Sequence, residues 1–242
     1  MTSVAVWTGA DARSASTIYI VSDSRITLQA SQYLDNGRKT FACSGSPDIF
    51  GYYGDVAVPL ASLTRIEASS ALAGLDSGDL RHSKFCALLK VAQAQVANSG
   101  APFGAVHVTR EGRGRNSVFR LWHTHWTGRS WQDEEIPAGD ETKLLADLGS
   151  GAGFLSENID AAQLELGNVS RAVFTGFCDS LAAKRDPKSG GAPQLVGLFR
   201  DVGMGRHFGV IFEGKPYFNH NPPLLRHQPP LACLPHEPSL KP

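Results

Sequence analysis

The sequence of this 242-residue chain predicts an α+β fold in which two antiparallel sheets pack face to face, with helices outside each. Two observations carry that prediction. Strand-like segments come in blocks at the beginning, middle and end of the chain, and segments of helical spacing fill the two gaps between them. Blocks of this kind favour layers of antiparallel sheet and helix over a strictly alternating parallel sheet. No internal repeat and no linker divides residues 2–218, which are expected to form one domain.

The elements follow in order. Residues 3–8 are apolar and β-branched, 9–16 are turn-like, and 17–22 (TIYIVS) return as a strand. Short strands are predicted at 39–44 and 49–53. Spacing then becomes helical over 56–75 and again over 82–97, where alanine and leucine dominate and Asn98-Ser99-Gly100 supplies the stop. Strands resume at 104–110, 117–126 and 143–148. Helices follow at 154–164 and 169–184, the second with Asn168 as its N-cap. Segments 194–202 and 207–218 close the domain as an antiparallel pair. Residues 219–242 hold seven of the 14 prolines and are expected to form an extended C-terminal extension, because proline fixes φ and removes a donor. Its leucines leave two outcomes open, a disordered end or a segment docked on a neighbouring subunit.

Composition excludes several classes of function. Hydrophobic residues make up 42% of the chain and charged residues 19%, with 23 basic side chains balancing 23 acidic ones. That balance gives no footprint for nucleic acid or an anionic membrane, and no apolar run is long enough to span a bilayer. The first residues lack the basic and long apolar regions of a secretory signal. Cys43, Cys86, Cys178 and Cys233 form no C-x-x-C pair. Their scatter suits reduced thiols in a cytoplasm better than disulfides or a zinc site, so neither metal nor cofactor is expected.

The chemistry begins at Thr2. Small second residues permit loss of Met1, and a threonine left at the chain end carries both a hydroxyl nucleophile and an α-amine of pKa about 8 that can accept its proton. Asp23 follows the second strand in TIYIVSDSR, and Lys39 stands sixteen positions further on in GRKTFAC. Further along come IFGYYGD with Gly54, then Gly149-Ser150-Gly151, and Arg185-Asp186-Pro187-Lys188-Ser189-Gly190-Gly191. Together, and in this order, these elements resemble the β-type subunits of the proteasome family. The length, the SDSRIT and GRK segments and the long tail are most similar to the bacterial proteasome-homologue branch.

The resemblance implies the four-layer α-β-β-α sandwich of the N-terminal-nucleophile hydrolases and a threonine peptidase mechanism. Thr2 would be the nucleophile, with Lys39, kept charged by Asp23, lowering the pKa of the neighbouring hydroxyl and amine. Ser150, Asp186 and Ser189 would orient the amine and a water, and Arg25 would support the loop bearing Asp23. The oxyanion amide falls on Gly54 or Asp55, a donor whose removal costs about 3–4 kcal/mol in the transition state. A carboxylate at that place would oppose the developing charge. Ile26, Gly37, Phe41 and Tyr53 match the specificity pocket and imply a preference for apolar side chains. The first hairpin loop is longer than in most relatives. The resemblance also implies a homo-oligomer of stacked rings, with heptamers favoured. Peptides or unfolded proteins would be cleaved inside its chamber, with an ATPase unfoldase as possible partner. An amidase acting on small non-peptide amides and a catalytically weak ring scaffold are the other outcomes open to this fold.

Three motifs have competing readings. LLADLGSGAGFLS, around Gly149, resembles the first glycine motif of S-adenosylmethionine-dependent methyltransferases, but too little chain follows it for the parallel strand–helix units that fold requires. His123-Thr124-His125 places two histidines on one strand face, yet lacks the third and fourth ligands of a metal set. Asn168-Val169-Ser170 fits a glycosylation sequon, but is read as a helix start.

Overall fold

The computed structural model describes residues 2–29, 32–96, 100–201, 203–218 and 233–235. The expected helix end at Ala97, the Asn98-Ser99 part of its stop, the strand end at 202, Met1 and most of the proline-rich extension lie outside the described residues. Antiparallel sheets and four helices make up the body.

The chain opens with the hairpin β1 (Ser3–Ala10) and β2 (Ala15–Ser22), closed by a tight turn in which the Asp11 N–H donates to the Ser14 carbonyl at 3.1 Å. A small hairpin of β3 (Ile26–Gln29) and β4 (Gln32–Leu34) precedes β5 (Thr40–Ala42) and β6 (Asp48–Gly54). Helices α1 (Ala57–Ala68) and α2 (Gly78–Gln95) follow, then β7 (Phe103–Glu111), β8 (Val118–Trp126), β9 (Trp131–Ile136) and β10 (Lys143–Gly149). Helices α3 (Ala152–Leu166) and α4 (Ser170–Ala182) lead to β11 (Gln194–Phe199), β12 (Arg206–Phe212), β13 (Lys215–Phe218) and β14 (Cys233–Pro235).

One sheet has the order β10-β1-β2-β11-β12-β13, with β14 pairing β12, and the other runs β5-β6-β7-β8-β9. All pairings are antiparallel except β12 with β14. Period-two alternation sends neighbouring side chains to opposite faces, and the buried clusters follow from it. Val4, Val6, Ile18 and Ile20 of the first sheet share a cluster with Ile49, Val106, Val108 and Leu121 of the second. Ala5, Trp7 and Val21 point the other way, against Leu155 and Ile159 of α3 and Phe174 and Phe177 of α4. On the second sheet Phe41, Phe50 and Tyr52 turn from the first cluster toward Leu63 and Ile66 of α1 and Phe85 and Leu89 of α2.

Several elements depart from the sequence reading for identifiable reasons. Helix α2 starts at Gly78 rather than 82, because Ser77 Oγ accepts the Leu80 N–H at 3.2 Å and supplies an N-cap. Asn168 is not the N-cap of α4. Its Oδ1 accepts from Gln163 Nε2 at 3.0 Å, and the cap position falls to Val169, which makes no side-chain cap bond. Strand β9 (WQDEEI) was not expected, since its four central residues are exposed and show no apolar alternation; charges of this kind suit an edge strand. Among the described residues no helix is long and apolar enough to cross a membrane.

Candidate active site

Thr2 precedes β1, a strand paired with β10 on one side and β2 on the other, so its surroundings are set by both neighbours. On the β10 side Ser3 stands opposite Gly149, and the Ser150 N–H donates to the Thr2 carbonyl at 3.0 Å. Gly149 has φ +94°, and a Cβ there would lie 1.7 Å from the Thr2 carbonyl oxygen, so only glycine allows this approach. On the β2 side the chain turns at Asp23, whose N–H donates to the Ser3 carbonyl at 3.2 Å.

Lys39 arrives from the opposite sheet. Its Nζ donates to Thr2 Oγ1 at 2.8 Å and to Asp23 Oδ1 at 2.9 Å, and both charged side chains have no solvent exposure. Asp23 also accepts N–H bonds from Ser3 (3.1 Å), Arg25 (3.1 Å) and Gly190 (3.0 Å), so its carboxylate is saturated with donors. Removal from water lowers the Lys39 pKa and raises that of Asp23, while the ion pair pulls each back. The result is a cation held against a threonine hydroxyl in a dry setting.

A second polar chain runs beside the first. The Ser3 and Ser189 hydroxyls are 2.7 Å apart, and Ser189 Oγ and Ser150 Oγ donate to Asp186 Oδ2 at 2.8 and 2.5 Å. Partial burial raises the Asp186 carboxyl, but bonds from Ser150, the Lys188 N–H and Ser189 hold it below the ordinary value. Arg25 binds Asp35 through Nε and Nη2 at 2.7 and 2.8 Å and donates to the Pro187 carbonyl at 3.2 Å, tying the Asp23 turn to the Asp186 loop.

Gly54 and Asp55 both border Thr2, and strand geometry uses their backbone groups differently. The Asp55 N–H donates to the Pro102 carbonyl at 3.0 Å, and its Oδ1 accepts the Ala57 N–H at 2.9 Å ahead of α1. Both polar ends of Asp55 are therefore engaged. Successive N–H groups of a strand point to opposite edges, so the Gly54 N–H faces the edge on which the Tyr52 N–H meets the Lys39 carbonyl at 3.2 Å. Gly54 has φ +87°, and a Cβ would meet the Pro102 oxygen at 2.7 Å.

Thr2 opens onto two cavities, each lined by Gly54. One adds Tyr53, Phe103, His125, Trp126 and Ser150, and the other Arg25, Ile26, Thr27 and Val56. Of the residues matched to a specificity pocket, Tyr53 and Ile26 line these cavities. Phe41 does not: it is fully buried on the helix side of the second sheet, its ring 6.4 Å from that of Tyr52 and under the Arg38 guanidinium. Gly37 does not either. It is buried against Ile26, where a Cβ would lie 2.2 Å from Ile26 Cδ1, so it makes room for that side chain. Both residues were matched to the pocket through the family resemblance.

Sequence reasoning missed Ser3, Gln194, Phe103 and Trp126. Gln194 Oε1 accepts the Lys39 N–H at 2.9 Å and its Nε2 donates to the Gly37 carbonyl at 2.6 Å, pinning the lysine-bearing segment to β11. A buried glutamine opening an apolar strand was the only available signal. His123 and His125 are split in use: His123 bonds Tyr53 Oη at 2.8 Å, whereas His125 borders the cavity.

No family model and no curated protein matches the chain. Solved structures do. The chain is similar to a Gly-1 mutant of Anbu from Hyphomicrobium sp. strain MC1, with a TM-score of 0.56 and 11% identity over 85% of this chain and 86% of that one. The helical assembly of the Anbu complex from Pseudomonas aeruginosa gives a TM-score of 0.57 at 13% identity, covering 84% and 86%. Anbu (ancestral beta-subunit) from Yersinia bercovieri gives 0.54 at 13% identity, again covering 84% and 86%. The chain therefore has a proteasome-type fold, and at 11–13% identity its likeness to the Anbu structures is one of fold alone.

Proposed function

We propose that the chain is an N-terminal threonine hydrolase that becomes competent when Met1 is removed, and that it cleaves peptide bonds. The observation carrying this reading is Lys39 Nζ, 2.8 Å from Thr2 Oγ1 and 2.9 Å from Asp23 in a fully buried triad. Such a cation makes the hydroxyl easier to deprotonate. Thr2 Oγ1 attacks the amide carbonyl while its proton passes to the freed α-amine. As the carbon–nitrogen bond breaks, that proton goes to the leaving amine and an ester to Thr2 remains. Water then attacks the ester, releases the acid and restores the hydroxyl. Ser150, Asp186 and Ser189 orient the amine and the water, and the Gly54 N–H stabilises the oxyanion in preference to Asp55, whose amide is engaged.

Tyr53, Phe103 and Trp126 give the cavity an apolar wall suited to a hydrophobic side chain, with Ile26 on the other flank. The three apolar clusters support a four-layer α-β-β-α order for residues 2–218. Similarity to the Anbu assembly supports self-association, which we extend to stacked homo-oligomeric rings, heptameric by resemblance, working in the cytoplasm with an ATPase unfoldase. Fluorogenic peptides with a hydrophobic residue before the scissile bond test the reading. Cleavage by the wild type and its loss in Thr2→Ala are expected; equal cleavage by both proteins would overturn it.

A further inference from the structure

We propose that the chain carries a second, non-catalytic site that binds a divalent transition-metal ion of the zinc class through His82 Nε2, Cys86 Sγ and the Asp133 carboxylate. His82 and Cys86 stand four apart on α2 and therefore share a face, while Asp133 projects from the edge strand β9. All three ligand atoms lie within 4.8 Å of one another. His82 Nε2 is 3.3 Å from Cys86 Sγ and 3.0 Å from Asp133 Oδ2. Ordinary zinc bond lengths imply tetrahedral edges of about 3.4–3.6 Å between such atoms, so the two edges at His82 Nε2 would open by only a few tenths of an ångström to admit the ion.

The hydrogen bonding behind the site fixes the histidine. Asp48, fully buried, accepts from His107 Nε2 at 2.8 Å, and His107 Nδ1 faces His82 Nδ1 at 3.1 Å. With both rings neutral, the carboxylate requires the His107 proton on Nε2. His107 Nδ1 then accepts, His82 Nδ1–H donates, and His82 Nε2 is left with a lone pair. That lone pair faces the Asp133 carboxylate and the Cys86 sulfur. It can accept the thiol proton, and an ion that displaces that proton would be shared by nitrogen, sulfur and carboxylate.

Outer groups have the form metal sites use. Thr124 Oγ1 donates to Asp133 Oδ1 at 2.6 Å, and the His82 ring stacks on Trp122 at 4.4 Å with an interplanar angle of 6°. A nitrogen, a sulfur and a carboxylate oxygen suit zinc rather than calcium or magnesium. Asp133 is 46% exposed, which leaves the ion a path from solvent and a fourth position for water. The site would staple α2 to the edge of the second sheet. No residue of the Thr2 cluster takes part.

Cobalt(II) titration of the chelator-stripped full chain tests this. Wild type is expected to take up about one cobalt and to show a thiolate-to-cobalt charge-transfer band, displaced by zinc. Cys86→Ser should lose that band, and Asp133→Ala, altered at an exposed side chain, should bind zinc at least about tenfold more weakly. Zinc should raise the Tm of wild type but not of Asp133→Ala. Absence of the band in wild type, its survival in Cys86→Ser, or unchanged zinc affinity in Asp133→Ala would each overturn the proposal.

Discussion

Lys39 is held at both its ammonium and its backbone: Asp23 and Thr2 meet the ammonium, Gln194 accepts the N–H, and the Tyr52 N–H donates to the carbonyl. Replacing it by alanine leaves the Asp23 carboxylate buried without its cation. Lys39→Ala is therefore expected to lose about 3–5 kcal/mol in chemical denaturation and at least about 100-fold in peptide turnover. Wild-type turnover in that variant would remove Lys39 from the mechanism. At Gly149 the limit is space, since any Cβ collides with the Thr2 carbonyl. Gly149→Ala should cost at least about 1–3 kcal/mol of strain and displace Thr2, so its activity should fall further than its Tm. Asp186 adds a pH dependence. Its folded pKa lies below the ordinary 3.8, so its stabilisation is complete above that value and disappears as pH falls through the lowered one. Asp186→Asn should flatten the acid limb of stability in that window, read by denaturation across a pH series.

The family resemblance picked out Thr2, Asp23, Lys39, Ser150, Asp186 and Ser189, and turns at strand ends bring these residues together. Gln194 was not legible in the sequence, since its bonds to Gly37 and Lys39 reach a segment more than 150 residues away in the chain. Phe41 was matched to the pocket through the resemblance alone, and its ring packs on the helix side of the second sheet instead.

At the scale of elements, apolar residues buried on both faces made β1, β2, β7 and β8 readable, and the lack of such burial hid β9 and the β3–β4 hairpin. Helix α4 is buried without a break from Ala172 to Cys178, with Phe174, Phe177 and Cys178 in the cluster against the first sheet. Its Gly176 marks the contact with α3, where a Cβ would lie 2.5 Å from the Ile159 Cα. Overpacking there forces the helices apart. Gly176→Val should destabilise by about 1–3 kcal/mol or more, measured by urea unfolding, while leaving the Thr2 cluster untouched. An unchanged midpoint would mean that the helices separate without cost.

For the whole molecule, two sheets sharing one apolar cluster make the proposed active centre a junction between layers: Thr2 and Asp23 come from one sheet, Lys39 and Gly54 from the other. A site divided in this way depends on sheet packing as a unit. The same body is proposed to assemble into rings, and light scattering should give a mass many times that of one chain; a monomer at all concentrations would contradict the compartment. If Thr2 becomes the amino terminus and acts as nucleophile, intact-protein mass spectrometry before and after treatment with a peptide epoxyketone should show a chain lacking Met1. It should also show one covalent adduct on Thr2, absent from Thr2→Ala. A chain retaining Met1, or an adduct that persists in Thr2→Ala, would contradict that role of Thr2.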